Sequence, residues 1–244
     1  MKILHLYYDL MNLYGENGNI RVLMRHLADQ GLTPQLERKS LGDEIDFTEY
    51  AFVYCGSGTE RSQKAALIHL RQYADNLKAA VESGIPMLFT GNSLEMLGSV
   101  IHGLDGNDHP GISLLPFSVT EDPNTRYTGD AVFEADWSEK KWVGFINKCS
   151  DLTGLEGKPL FHVLMGKGNH TGDEQEGFLF HELYATYLTG PVLVKNPHFM
   201  DMMVEKIGKR SNEDFAFQKI SYPYEEDSYE VTLHALMERI QPKS

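Results

Sequence analysis

The sequence predicts a three-layer α/β fold built on a mostly parallel central sheet. Apolar runs too short for helices (Ile3 to Tyr8, Ala51 to Tyr54, Pro86 to Phe89) alternate with stretches whose apolar residues recur at helical spacing. The resulting order of strand, helix, strand, strand, helix, strand and helix calls for strands covered on both faces, the condition under which parallel sheets are stable. Ligands of such sheets bind beyond the carboxyl ends of the strands.

Ile3 to Tyr8 is the first expected strand. It runs into Asp9–Asn19, rich in Gly and Asn but without the Lys-Ser/Thr ending of a phosphate loop or the GxGxxG spacing of a dinucleotide fold. Asp9 and Asn12 are read as ties between this loop and the next helix, with ligand binding as the alternative. Asn19 is placed to cap a helix carrying Ile20, Leu23, Met24 and Leu27, which Gly31 ends. Thr33 to Leu36 and Ala51 to Tyr54 are the next strands, the latter entering Gly56-Ser57-Gly58. A long helix is expected from about Arg61 to Val81, stopping at Gly84. Pro86 to Phe89, a turn at Gly91-Asn92-Ser93, and then Leu94, Met96 and Leu97 read as strand, sharp turn and helix. That is the geometry on which several enzyme classes mount a nucleophile. The turn holds no cysteine, and its apex is Gly91.

Gly111 to Thr120 and Tyr127 to Asp136 read as extended segments joined by the turn-rich link Glu121 to Arg126. Trp142 to Phe145 is a short strand, and Asn169 to Glu176 a polar loop. Gly177 to Phe180 and Tyr184 to Leu188 return to the core. Asn196-Pro197 opens a helix bearing Phe199, Met202, Met203 and Ile207. Tyr222-Pro223-Tyr224 breaks the chain, and from Glu225 onward Tyr229, Leu233, Leu236, Met237 and Ile240 mark one helical face. The expected division is a domain over residues 1–210 and a C-terminal extension over 211–244, whose amphipathic helix docks on it.

Composition excludes several classes. A net charge of −13 argues against a general nucleic-acid surface, which needs clustered Lys and Arg. No segment is long and apolar enough to span a membrane, and the first residues form a strand rather than a signal peptide. Cys55 and Cys149 lie far apart, outside any metal-ligand spacing, and the histidines form no HxH or HExxH pair. A cytoplasmic protein with reduced thiols, no metal and no cofactor is expected. Cys55 is read as a buried structural thiol and Cys149 as a loop residue; His162 and His181 are given ordinary core or surface roles.

Four pieces together resemble one family: Asp9–Ile20, Gly56–Gln63, Arg126–Asp130 and Thr186–Pro197. The family is that of the glutaminase subunit of lipid II isoglutaminyl synthase, a class I glutamine amidotransferase close to the cobyric acid synthase glutaminase domains. The resemblance covers about residues 3 to 208 and implies a flavodoxin-like three-layer fold. It also implies glutamine hydrolysis by a cysteine at the turn and a late histidine. Ammonia then passes to a Mur-ligase-like ATP-dependent partner, in a heterodimer, for amidation of D-glutamate in the cell-wall stem peptide. By the same resemblance Gly56, Ser57 and Gly58 help to form an oxyanion hole, and Arg126 holds glutamine.

Two positions depart from the pattern. Counted back from Leu97-Gly98, the nucleophile position falls on Gly91; in the last motif the histidine position is Thr189. Glycine has no side chain to attack with, and threonine has no group that titrates near neutrality. General-base assistance alone is worth roughly 10²–10⁴-fold, so the expectation is a degenerate member with no catalytic residue at either position. Two alternatives stay open. Ser93, with His170 or His181 as base, would make a hydrolase, although Glu95 stands where the turn needs a small residue. A shifted register would make the chain an active glutaminase.

Overall fold

The computed structural model describes residues 1–240. The chain begins with β1 (Lys2–Leu6), α1 (Asn17–Asp29), β2 (Gln35–Lys39), β3 (Phe52–Cys55), α2 (Glu60–Leu70), α3 (Ala74–Glu82) and β4 (Met87–Thr90). A 3-10 helix over Gly91–Leu97 follows β4 directly. Then come β5 (Val100–His102), β6 (Asp108–Pro110), β7 (Ser118–Glu121), β8 (Tyr127–Ala135), β9 (Ser138–Lys148), β10 (Ser150–Thr153), β11 (Phe161–Met165) and β12 (Gln175–Glu176). The chain closes with β13 (Phe178–Phe180), β14 (Leu183–Thr186), α4 (Val192–Lys195), α5 (Pro197–Ser211) and α6 (Pro223–Ile240).

The main sheet has six strands in the order β13-β14-β4-β3-β1-β2. Its neighbours run parallel except for β13, which pairs antiparallel with β14. Central β3 and β4 are buried along their whole length (Phe52, Val53, Tyr54, Cys55; Met87, Leu88, Phe89, Thr90), as strands with cover on both faces must be. The carboxyl ends of β3, β4 and β14 lie side by side, with Cys55 opposite Phe89 and Thr186 opposite Thr90. The loops that leave them therefore converge.

Two further four-stranded sheets lie outside the expected single sheet. They have the orders β10-β7-β5-β6 and β12-β11-β8-β9. β5 and β6 were not anticipated, because three-residue strands carry no measurable period. Of the stretch Gly111 to Thr120 only the end, from Ser118, is strand. β9 is far longer than Trp142 to Phe145, pairing with β8 from Ser138 to Lys148. α6 lies across this ribbon, where Tyr229 and Leu236 pack with Val132 and Val143. The 211–240 segment also ties back to α1: Tyr222 stacks on His26 at 3.9 Å, and its hydroxyl donates to Asp29 at 2.8 Å.

Two helix expectations change. The helix expected over 61–81 is two helices joined by a 3-10 turn at Arg71–Tyr73, where Tyr73 leaves helical backbone (φ −112°, ψ 13°). Asn19 does not cap α1 but sits inside its first turn, fully buried. Its amide donates to the Tyr54 hydroxyl at 2.7 Å, and its oxygen accepts the Leu193 N–H at 2.8 Å. Asn196 likewise precedes α5 without capping it, because its carboxamide pairs with the Val143 backbone. Asn12 does tie its loop to α1, accepting from the Asn17 N–H at 3.0 Å, whereas Asp9 reaches not the helix but Ser40 beyond β2, accepting from its Oγ at 2.5 Å.

Candidate functional site

Gly91 is the first residue beyond β4 and has a φ of +60°. A side chain there would be strained by backbone alone. It would also have no room, since a Cβ built on Gly91 falls far inside contact distance of Ser57 Cβ and Oγ and 3.1 Å from Thr189 Cγ2. Gly91, Thr189 and Ser57 are thus brought together from three strand ends. The Thr189 hydroxyl turns away, donating to the Phe145 carbonyl at 2.8 Å.

Beside this point opens a cavity of about 170 Å³. Ser57 and Gly58 line it together with Arg126, so these sequence-expected residues do share one site. Gly56 lies behind the wall, packed against Met11 and Glu16. Arg126 is half-exposed at the rim, 2.9 Å from Asn147 Oδ1 and 3.4 Å from Glu60 Oε1. Tyr14 closes the rim from the first loop. It adopts a left-handed backbone (φ 59°), and its hydroxyl accepts from Asn147 Nδ2 at 2.7 Å.

Several lining residues escaped sequence reasoning. Glu60, Asn92, Glu95, Asn147, Lys148, Cys149 and Ser150 reach the cavity from α2, the 3-10 helix and the β9–β10 junction. Lys148 is buried, donating to the Gly168 and Asn169 carbonyls at 2.8 Å each, with its ammonium 3.8 Å from the Tyr187 ring centre. Burial pulls it down to about 8, against the opposing charges of Glu95 and Glu176. Glu95 is pushed up by burial despite bonds from Ser150 Oγ and Gln63 Nε2. Cys149 lies outside the strands, as expected, as the single residue that joins β9 to β10, and it is buried. Burial and its contact with Glu60 push the thiol up to about 12, so it holds its proton rather than offering a thiolate.

Ser93 does not line the cavity. It is fully buried, its hydroxyl 2.8 Å from the Thr90 carbonyl and 3.0 Å from that of Cys55. The two histidines considered for it lie elsewhere: His170 pairs with Asp173, and His181 sits exposed at the β13–β14 turn against Phe180. Cys55 is buried in β3, as expected of a structural thiol.

Beneath the tip, the Glu16 carboxylate accepts from Tyr54, from Thr90 Oγ1 at 2.8 Å and from Asn19 Nδ2 at 3.2 Å. Burial pushes it up to about 7. Another buried carboxylate, Glu176, accepts from the Tyr187 N–H at 2.6 Å and from Thr186 Oγ1 at 2.8 Å, and is also pushed up to about 7. The first loop, β3, the end of β4 and the last motif are thereby tied to buried carboxylates.

The model of the CobB/CobQ-like glutamine amidotransferase domain matches residues 2–197. The chain belongs to this family. Within the CobB/CobQ-like amidotransferases its relation is to GatD glutaminase subunits. It is 32% identical over 220 residues to the GatD subunit of lipid II isoglutaminyl synthase (glutamine-hydrolyzing) of Staphylococcus aureus strain N315, covering 90% of this chain and 89% of that protein. With the GatD subunit of Streptococcus pneumoniae strain ATCC BAA-255 / R6 it shares 24% identity over 235 residues, 92% of this chain and 90% of that one. Among solved structures, PurLQS from Thermotoga maritima superposes with a TM-score of 0.53 at 12% identity, covering 95% of this chain and 98% of that one. At that identity the likeness shows the α/β fold alone.

Proposed function

We propose that this chain is a non-catalytic GatD-type subunit, a partner of a Mur-ligase-like ATP-dependent enzyme in amidation of the cell-wall stem peptide. One observation carries the reading. At the tip of β4, where an amidotransferase needs a thiol, stands Gly91, and the residue facing it is Thr189 rather than an imidazole. Without nucleophile or base, the acyl-enzyme route to ammonia is closed. Cys149 does not replace the thiol, since it is protonated and held by Glu60.

In this reading the chain contributes architecture and a binding surface, and the ligase draws on free ammonia. Residues 1–210 form the amidotransferase-like body and the extension after it docks through α6, the last four residues of the expected 211–244 segment lying outside the described residues; the complex works in the cytoplasm. No helix among the described residues is long and apolar enough to cross a membrane.

The test is glutamate release from glutamine by the purified chain, alone and with a Mur-ligase-like subunit from the same cell. We expect no release above background in either case, while the pair co-purifies and amidates its substrate with ammonium. Sustained glutamine turnover by the chain would overturn the reading.

A further inference from the structure

The cavity wall presents a backbone N–H, that of Gly58, and a fixed amide donor in a pocket is where a ligand carbonyl oxygen docks. In this molecule the donor is already engaged. Gly58 N–H donates to Asn92 Oδ1 at 3.0 Å, and Asn92 Nδ2 donates back to the Gly58 carbonyl at 3.0 Å. Ser57 Oγ lies 3.3 Å from the same Oδ1. Asn92 is itself anchored, its main-chain carbonyl accepting from Gln63 Nε2 at 2.6 Å. Ser57 and Gly58 are buried, whereas Asn92 is half-buried and lines the cavity. A primary carboxamide offers one acceptor oxygen and two amide protons. The Asn92 side chain presents that set to Gly58, as a small-molecule amide would.

We propose that the Asn92 carboxamide is a tethered ligand, occupying the position at which the cavity would otherwise take the primary carboxamide of a small molecule. The inference rests on the reading of the site as non-catalytic and supplies a second, separable reason for its silence. A group held on the chain competes without the loss of translational freedom that a free ligand bears. An incoming amide must also break two hydrogen bonds before making its own. The residues that fill the floor, Asn92 and Ser57, thus set what the cavity admits: ligands that end at the Arg126, Glu60 and Tyr14 rim, and no carboxamide reaching Gly58.

The test compares the full chain with its Asn92→Gly and Asn92→Ala variants by calorimetric titration, using glutamine as probe and glutamate as the carboxylate control. We expect the variants to bind glutamine at least tenfold more tightly than the native chain does, and tenfold more tightly than they bind glutamate. Amide hydrogen exchange at Gly58 should speed up at least tenfold in the variants. A folded variant, shown by unchanged near-ultraviolet dichroism, that binds glutamine no better than the native chain overturns the inference. So does a native chain that binds glutamine as tightly as the variants. Should both variants fail to fold, exchange in the native chain decides. Protection of the Gly58 amide that glutamine leaves unchanged supports the tether, and exchange at free-loop rates overturns it. Glutamate release by the native chain would instead sink the non-catalytic reading, so the two failures are distinct.

Discussion

Thr90 and Gly91 are adjacent in sequence and opposite in character. Around Thr90 the stem of the turn is dense with buried polar groups: one oxygen of Glu16 accepts from Tyr54, Thr90 and Asn19, and Asn19 reaches on to Leu193. At Gly91 the tip carries no side chain, and Ser57 and Thr189 fill the space that a Cβ would need. The stem holds four segments in register, while the tip is where chemistry would stand. In the reading proposed above, the shape of such a site and its reactivity are carried by different residues.

The largest expected effect falls on the stem. Glu16→Ala removes the acceptor that the buried Tyr54 and Thr90 hydroxyls and the Asn19 amide share, and should lower stability by about 3 kcal/mol in urea unfolding. A loss under about 1 kcal/mol would mean that the stem is no more constrained than the tip.

The same carboxylate gives a pH signature. Burial pushes Glu16 up to about 7, above its unfolded value of about 4.3. Between these values the folded chain holds a proton that the unfolded chain has released, so stability is greatest below the unfolded value and falls as pH rises towards 7. Glu16→Gln removes this slope and should gain roughly 2 kcal/mol on the native chain between pH 5 and pH 8, measured by denaturant titration at each pH. Glu176, also raised to about 7, keeps its own slope in both proteins.

At the tip, Gly91→Cys with Thr189→His should not create a glutaminase. The new Cβ meets Ser57 on a backbone with φ +60°, which should destabilise the fold by about 2 kcal/mol. Adding Ser57→Gly should recover much of that loss, and glutamate release from the two proteins separates a blocked site from an absent one. The smallest effect is expected at Ser93. Ser93→Ala should cost about 1 kcal/mol, the worth of a buried hydroxyl bonded to a carbonyl, and change no hydrolytic activity.

The parallel sheet was legible because its strands are short continuous apolar runs bounded by glycine or proline, as at Met87 to Phe89. The two smaller sheets, one mixed and one antiparallel, were not, because β5 and β6 are three residues long and β9 begins with exposed charged residues, Glu139 and Lys140, that hide its length. At the site, Gly91, Thr189, Ser57 and Arg126 could be read because each falls inside a local motif. Lys148, Cys149 and Glu60 could not, since only the folded β9–β10 junction and the start of α2 bring them to the cavity. Asn92 had a local signal, a carboxamide beside a glycine apex, but its partner Gly58 is 34 residues away in sequence.

The β8–β9 ribbon joins two distant parts of the molecule. One end carries Arg126, Asn147 and Lys148 at the cavity, where Tyr127 pairs with Lys148; its middle lies beneath α6 through Val132 and Val143, and Arg239 of α6 grips Asp130 at 2.6 Å. These two strands, at the β9 edge of a four-stranded sheet, run from the cavity to the face beneath α6. The rim of the cavity and the seat of α6 therefore share one hydrogen-bonded ladder, from Tyr127–Lys148 to Val132–Val143.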